Sequence, residues 1–298
     1  MTSRCPWLWG VALMLAACGA GPRAASVPSD SPASSAKREG CPGEGKRLLS
    51  TIEQRESGRA AVARTAKHHD RRGQLTRVER DGDGDGVAEQ VDRYTYDEEG
   101  HLIAFENGEV VESYRLDRSG RVAVRERQRR GSPIGTSVIV TYDAKGRVIR
   151  EVSDLEDVRY GHDITGREVR EERFRPGEDV AYLSLVTTSD AAGRPLLQQG
   201  HDPNGPLHKT WRYDERGREL ESEWVRDGSL LLRTKTRYDA AGRRVLEEQL
   251  NSEGALVGRE SWTYDSHGEE ASHRTESMES NDWVEERYTY TAPMKCPR

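Results

Sequence analysis

The residues of this 298-residue chain best suited to chemistry form one acidic segment, from Asp81 to Asp92. Carboxylates stand at positions 1, 3, 5 and 12 of this segment, and a glycine stands at position 6. Hard oxygen ligands at this spacing, with one backbone carbonyl at position 7, surround Ca²⁺ in calcium-binding loops. A Gly-Asp hairpin turn is the alternative interpretation. The predicted calcium ligands are Asp81, Asp83, Asp85, Val87 and Asp92.

The histidines are the other residues whose types suit catalysis. His69-Asp70 and His162-Asp163 fall in register with Tyr-Asp pairs that recur along the chain. We interpret them as ordinary strand and turn residues, because a catalytic site needs several converging groups. The sequence also contains no glycine-rich phosphate loop, no Cys-x-x-Cys and no Gly-x-Ser-x-Gly motif. We therefore expect a protein that is not an enzyme.

A repeat sets the elements that position these residues. Asp-x-x-Gly recurs nine times, at intervals of 20 to 27 residues that are too regular for chance loops. Alternating runs such as Tyr94-Thr95-Tyr96 precede the turns, and period two indicates strands. Each copy predicts a tight turn, because Asp accepts nearby backbone hydrogen bonds and Gly adopts positive φ. The aspartates are Asp70, Asp97, Asp117, Asp143, Asp163, Asp190, Asp214, Asp239 and Asp265.

A second turn signal lies between consecutive copies, as at Asn107-Gly108 and Asp227-Gly228. The predicted fold class is therefore all-β, an antiparallel up-and-down meander of about nine two-strand repeats. Open twisted sheets rarely exceed about 10 strands. We therefore expect the meander to coil or wrap on itself, either as a shell or as a folded-over sheet with its Tyr and Trp face inward.

The repeated pattern resembles the tyrosine-aspartate (YD) repeat of the RHS family over about residues 60 to 270. Family members of the large toxin type wind such repeats into a hollow shell and carry a C-terminal toxin, so the resemblance implies the scaffold without that toxin. The best matches are Tyr142–Val148, Tyr213–Arg218 and Tyr238–Arg243. The departures are His69, Leu116, His162 and Ser189 in place of Tyr, and Glu269 in place of Arg.

The first residues predict the location of the protein. The apolar run from Trp7 to Ala17 has 11 residues, which is too short to span a bilayer and is typical of a signal peptide. Leu15-Ala16-Ala17-Cys18 resembles the lipobox of bacterial lipoproteins, in which the Cys is acylated after cleavage. An ordinary signal peptide cut elsewhere is the alternative. Gly19 in place of Asp favours the outer membrane by the same resemblance.

The chain then divides into three predicted regions. Residues 1–17 are the lipoprotein signal peptide, residues 18–40 are a flexible Ala/Ser/Pro-rich tether, and residues 41–298 are the YD-like β-repeat domain. Cys41 and Cys296 remain near the two ends of the repeat domain, in an oxidising compartment. We predict a disulfide between them; two unpaired thiols, or pairing with another protein, are the alternatives.

Charged residues make up 33% of the chain and aromatic residues 6%, with a net charge of −6. Because the charges are of mixed sign, nucleic acid is not an expected partner. We expect a lipid-anchored cell-envelope protein that serves as a non-enzymatic binding or structural scaffold for a protein or carbohydrate partner. The alternatives are an immunity or accessory protein for a secreted toxin, and a glycan-active enzyme with paired carboxylates.

Overall fold

The computed structural model describes residues 47–292, and its regular elements are all β-strands. Among these residues no helix is long and apolar enough to cross a membrane. The strands are β1 Leu49–Glu56, β2 Ala63–His69, β3 Leu75–Asp81, β4 Gln90–Tyr96, β5 Leu102–Glu106, β6 Val110–Leu116, β7 Val122–Arg129, β8 Gly135–Tyr142, β9 Val148–Val152, β10 Asp157–His162, β11 Glu168–Phe174, β12 Leu183–Ser189, β13 Pro195–Asp202, β14 Gly205–Tyr213, β15 Glu219–Arg226, β16 Ser229–Tyr238, β17 Arg244–Leu250, β18 Leu256–Tyr264, β19 Glu270–Ser277 and β20 Trp283–Tyr290.

The strands form one antiparallel sheet in which each strand pairs with the next along the chain. The first strand also pairs with the last, in a ladder that runs from Leu49 opposite Tyr290 to Glu56 opposite Val284. The sheet of 20 strands is therefore closed, and each of its strands has two neighbours. Closure gives hydrogen-bond partners to the backbone N–H and C=O groups that two free edge strands would expose.

The prediction of an all-β, antiparallel up-and-down arrangement is confirmed. The expectation that the meander coils or wraps on itself is wrong, because the sheet instead closes end to end through β1 and β20. The repeat count of about nine is also low, since 20 strands make ten strand pairs. The extra pair consists of the terminal strands, which carry no Asp-x-x-Gly turn between them.

A register shift precedes most of the Asp-x-x-Gly turns. Arg212 lies opposite Glu221, for example, but the next residue, Tyr213, lies opposite Glu219. The partner strand therefore contains one extra residue at this point. Such bulges increase the local twist of a strand pair and so help a sheet to curve. The turn at Asp163 is the exception, because its ladder runs without a shift up to His162.

The connections between strands fall into two alternating sets, one at each end of the closed sheet. One end, which we call the Asp-Gly rim, carries the nine Asp-x-x-Gly turns together with residues 47–48 and 291–292. The other end, which we call the loop rim, carries connections of unrelated sequence. The loop-rim connections are residues 57–62, 82–89, 107–109, 130–134, 153–156, 175–182, 203–204, 227–228, 251–255 and 278–282.

One face of the sheet carries the repeat tyrosines and is the more buried of the two. Nine of the 12 buried residues lie on this face, so we take it as the inner face of the closed sheet. None of the described side chains is fully buried. The buried residues of the inner face are Val78, Asp92, Val110, Val158, Leu185, Leu207, Ser222, Thr236 and Trp262.

Candidate functional site

The turns of the Asp-Gly rim share one hydrogen-bond pattern, seen clearly at Asp214. Its Oδ1 accepts hydrogen bonds from the backbone N–H groups of Arg216 and Arg218, both at 2.9 Å. Its Oδ2 accepts one from Arg218 Nε at 2.7 Å. Gly217 closes the turn with φ +79°, a conformation that glycine adopts without strain. The hydrogen bonds from the Arg218 backbone and side chain lower the pKa of Asp214.

Four arginines of this pattern also pack on the tyrosine of the following repeat. The Arg218 guanidinium lies 4.5 Å from the ring centroid of Tyr238. The Tyr238 hydroxyl in turn donates a 2.7 Å hydrogen bond to the backbone carbonyl of Glu219. The same packing joins Arg121 to Tyr142, Arg194 to Tyr213 and Arg243 to Tyr264, at 4.4, 5.1 and 4.4 Å.

The repeated Tyr, Asp, Gly and Arg residues therefore link neighbouring repeats to one another. Most of their polar groups bond to one another within the rim, so we take this rim as a structural element. His162 occupies a tyrosine position and takes over its role, because its Nε2 lies 2.8 Å from the carbonyl of Val148. His68 lies on a strand and contacts Glu79 at 2.9 Å.

The last Asp-x-x-Gly turn lacks its own arginine, and Arg47 replaces it from the other end of the chain. Arg47 Nη1 lies 2.8 Å from Asp265 Oδ2 and 2.6 Å from Glu269 Oε2. Its guanidinium also lies 5.5 Å from the ring centroid of Tyr290. The hydrogen bond from Arg47 lowers the pKa of Asp265 to about 2. Arg47 thus completes the ladder of the Asp-Gly rim at the point where the sheet closes.

The predicted calcium segment lies at the loop rim, in the connection from β3 to β4. Asp81, Asp83, Asp85 and Glu89 each place one carboxylate oxygen so that these oxygens lie within 4.8 Å of one another. Asp81 is buried, and its two oxygens accept the N–H groups of Gly84 at 2.6 Å and Gly86 at 2.9 Å.

Of the predicted ligands, Asp81, Asp83 and Asp85 are brought together and Asp92 is not a member of this cluster. The Asp92 carboxylate instead contacts Arg80 at 2.6 Å and Gln90 at 3.1 Å on the inner face. Val87 lies in the same loop, and its N–H donates to Asp85 Oδ1 at 2.7 Å. Glu89 takes the place expected of Asp92. Position 9 of a calcium loop is a recognised ligand position, so the spacing contained this signal.

A second group of polar residues, absent from the sequence predictions, lies on the inner face of β17, β18 and β19. His273 stacks on Trp262 with ring centroids 4.8 Å apart and lies 3.0 Å from Glu260. Arg244 covers the other side of this tryptophan at 3.9 Å. Glu260 and Glu247 are direct partners in the ladder between β17 and β18. This group is called the inner carboxylate patch below.

The two glutamates of the inner carboxylate patch titrate in opposite directions. Burial, and then the charge of Glu260, raises the pKa of Glu247. The hydrogen bond with His273 lowers the pKa of Glu260, and the same bond raises the pKa of His273. Neighbouring carboxyls whose pKa values are separated by their surroundings are the usual requirement for acid and base roles. The sequence could not identify this pair, because glutamates are frequent along the chain and only the strand register makes these two neighbours.

The predicted lipidation site Cys18 and the predicted disulfide partners Cys41 and Cys296 lie outside the described residues. Next to the two ends of the described residues, Leu48 and Thr291 are hydrogen-bonded to each other. Leu48 N–H donates to Thr291 Oγ1 at 3.0 Å, and Thr291 N–H donates to the Leu48 carbonyl at 2.8 Å. The first and last described strands therefore meet at the Asp-Gly rim.

No protein-family model matches the chain. Two proteins of Dickeya dadantii (strain 3937), the probable deoxyribonucleases RhsB and RhsA, are each 28% identical to it over 211 residues. These matches cover 66% of this chain and 14% of each relative, so the chain spans about one seventh of the relatives' length. They show an RHS-repeat relationship, which confirms the resemblance read from the Tyr-Asp pattern.

Two solved structures resemble the chain at lower sequence identity than these relatives do. A crystal structure of TcdB2-TccC3-Cdc42 matches 76% of this chain and 15% of that chain, with 13% identity and a TM-score of 0.38. A porin-like protein from Bacteroides uniformis matches 82% of this chain and 98% of that chain, with 11% identity and a TM-score of 0.38. Neither is close enough to assign an activity.

Proposed function

We propose that this chain is a lipid-anchored cell-envelope protein whose closed sheet acts as a non-enzymatic scaffold for a protein or carbohydrate partner. The observation that carries the proposal is the closed sheet itself, with an inner face that carries aromatic and charged side chains. The RHS-repeat relationship, which covers 66% of this chain, supports the scaffold role.

The contacts of the closed sheet support an accessible interior. Among residues 47–292, the side-chain hydrogen bonds and ion pairs join strands and turns that are near neighbours around the ring, as Arg127 of β7 and Glu112 of β6 do. Twenty strands spaced ~4.8 Å apart give a circumference of about 96 Å, and a circle of that circumference is about 31 Å across. A single layer of side chains leaves space at the centre of such a ring. The partner in our proposal contacts this inner surface.

The inner face offers groups that recognise carbohydrates and polar peptides. Trp211 and Trp224 lie on this face, on the neighbouring strands β14 and β15, and Lys209 is the ladder partner of Trp224. Aromatic rings stack on the apolar faces of sugars and peptides, while Lys and Arg bind their carboxylates. Trp283 lies on the opposite face of the sheet, where Arg274 covers it at 4.4 Å.

A capture experiment tests the scaffold role. The full chain, purified in mild detergent, is used to capture partners from envelope extracts and to probe an array of envelope glycans. We expect the Trp224→Ala variant to lose the captured partner and the Trp283→Ala variant, altered on the outer face, to retain it. Equal capture by both variants and the wild type would place the partner elsewhere and contradict binding at the inner face.

The lipid anchor is tested separately at Cys18. The Cys18→Ala variant should leave the membrane fraction, whereas the wild type should sediment with membranes and carry acyl mass on its mature N-terminus. A variant that still sediments, together with a wild type free of acyl mass, would contradict the proposed location. The scaffold role would be unaffected by that outcome.

A second candidate function, a glycan-active enzyme, is favoured by the ladder partnership of Glu247 and Glu260. Glycoside hydrolases use two carboxyls, one as acid and one as base or nucleophile. Release of reducing ends from envelope polysaccharides, lost in both Glu247→Gln and Glu260→Gln, would support this candidate. An accessory role beside a secreted toxin is motivated by the RHS-repeat relationship alone, and co-purification of such a toxin in the capture experiment would favour it.

A further inference from the structure

Three arginines occupy alternate positions of β7. Alternate residues of a strand point to the same face of the sheet and are about 7 Å apart. Val110, a buried residue of the inner face, is the ladder partner of Arg129, so all three arginines lie on the inner face. Their side chains are nevertheless exposed. We call these three residues the inner arginine row: Arg125, Arg127 and Arg129.

The carboxylate beside this row, that of Glu112 on β6, is paired with Arg127 alone. Glu112 Oε1 lies 3.4 Å from Arg127 Nε, and Glu112 Oε2 accepts a 2.7 Å hydrogen bond from the Tyr114 hydroxyl. Both oxygens of Glu112 are therefore engaged. Among residues 47–292, no carboxylate lies within ion-pair distance of Arg125 or Arg129.

The strand on the other side of the row adds no acidic group. β8 places Thr136, Val138 and Val140 on the inner face. The next carboxylate in that direction is Glu151 on β9, which lies two strands from β7. Like charges about 7 Å apart repel one another, so the row costs stability unless an anion lies against it. Guanidinium groups bind carboxylates through paired hydrogen bonds, which makes a carboxylate the anion that suits this row.

An aromatic pair lies beside the inner arginine row at the same level of the sheet. Phe105 on β5 is the ladder partner of Glu112, which is itself the ladder partner of Arg127. Phe105 is therefore two strands, or about 10 Å, from Arg127. Tyr94 on β4 packs against Phe105 with ring centroids 5.2 Å apart. Aromatic rings stack on the apolar faces of sugars, so this part of the inner face offers both cations and a stacking surface.

We propose that the inner arginine row binds the carboxylates of an acidic polysaccharide, which lies along β7 inside the ring with one sugar against Phe105. This inference rests on the proposed scaffold function, because it needs a partner in the interior, and it names the class of that partner. Arg125 and Arg129 are about 14 Å apart along the strand, so the ligand must carry several carboxylates. An acidic polysaccharide uses both the cations and the aromatic pair, whereas an acidic polypeptide needs only the cations.

Titration calorimetry of the full chain in mild detergent tests the proposal, with oligogalacturonate as the probe. Its methyl ester is the matched probe, because esterification keeps the sugar chain and removes the charges. We expect oligogalacturonate to bind, more weakly as the salt concentration rises, and the ester not to bind. Polyglutamate and single-stranded DNA of similar charge should bind at least about tenfold more weakly. Equal binding of the ester, or equal or tighter binding of either other polyanion, would overturn the proposal.

The row itself is tested by the Arg125→Gln, Arg129→Gln double variant. Its Kd for oligogalacturonate should rise at least about tenfold, because two charge-assisted contacts are lost. The control is the Arg118→Gln, Arg170→Gln double variant, which removes the same charge from an Asp-x-x-Gly turn and from the outer face of β11. All four side chains are exposed, so both variants should melt like the wild type. Equal weakening in the two variants would show attraction by net charge alone and contradict the proposed site.

Failure of this proposal is distinguishable from failure of the scaffold function. If the wild type binds no oligogalacturonate but Trp224→Ala still loses a captured partner, the interior binds another class of ligand and only the proposal for the inner arginine row is wrong. If oligogalacturonate does not bind and capture does not depend on Trp224, both proposals are wrong.

Discussion

The two rims of the closed sheet are built on different principles. At the Asp-Gly rim the same four residue types recur in each full repeat and satisfy one another, as Asp143 and Arg147 do at 2.7 Å. At the loop rim the connections differ in length and sequence, and they leave Ile134 and Leu155 exposed. The regular rim holds the ring together, and the irregular rim is free to carry binding groups. Three predictions test this division and a fourth tests the inner carboxylate patch, in order of decreasing expected effect.

The largest effect should follow from Arg47→Ala at the Asp-Gly rim. This variant removes the guanidinium that forms ion pairs with both Asp265 and Glu269. We expect the lowest Tm of the four experiments and faster amide exchange throughout β1 and β20. Arg59→Ala is the control, because Arg59 follows the loop-rim end of the same strand and forms an ion pair with Glu56 at 3.1 Å, away from the Asp-Gly rim. Unchanged exchange in β1 would show that the rim ladder does not hold the closure.

The second-largest effect should be the change in Tm on calcium binding at the loop rim. We propose that Asp81, Asp83, Asp85 and Glu89 bind Ca²⁺ weakly, because four carboxylate oxygens are an incomplete ligand set. Binding to the folded form alone adds about 2.7 kcal/mol at a hundredfold excess over Kd, so Tm should rise with CaCl₂ and fall with EDTA. The Asp83→Ala, Asp85→Ala double variant should lose this response. Identical melting curves for the wild type in CaCl₂ and EDTA would leave the segment as a hairpin turn.

Replacing one glycine on each rim by alanine should give a smaller loss of stability. The losses at the two rims can be compared directly. Gly217 and Gly177 have φ of +79° and +78°. Alanine at either position costs about 1–2 kcal/mol for the left-handed backbone. At Gly217 the new Cβ also meets the Arg194 guanidinium, whereas at Gly177 no atom lies within 4 Å. Chemical denaturation should show a greater loss for Gly217→Ala. Equal losses would mean that the arginine ladder adapts without cost.

The smallest effect should come from the inner carboxylate patch, which belongs to neither rim. Glu260 raises the pKa of His273, so the stability from this pair is complete below the unfolded value of about 6.5 and is lost as the pH rises through the folded pKa. Glu270 and Glu286 also face this histidine and act in the same direction. Tm measured against pH should show this decline, and His273→Gln should remove it. His68→Gln is the control, because His68 is half exposed.

The sequence predicted the Asp-Gly rim well because its determinants are local. A turn such as Asp239 to Gly242 is specified by residues within four positions of one another. Closure was missed because Arg47 and Asp265 are far apart in the sequence, and Glu269 looked like a defect in the repeat. The inner carboxylate patch was missed for a related reason, since Glu247 and Glu260 become neighbours only through strand register. The separation of Asp92 from the loop carboxylates could not be predicted, because its partner Arg80 lies on the adjacent strand.

The junction between β1 and β20 has a consequence for the order of folding. Other strand pairs form across short turns, but the contact of Leu48 with Thr291 spans 243 residues, so it is among the most non-local contacts of the sheet. During synthesis β1 emerges first, and one of its edges remains unpaired until β20 is released. An unpaired edge strand is a template for other chains. The junction is therefore where strand exchange between copies competes with correct closure of the sheet.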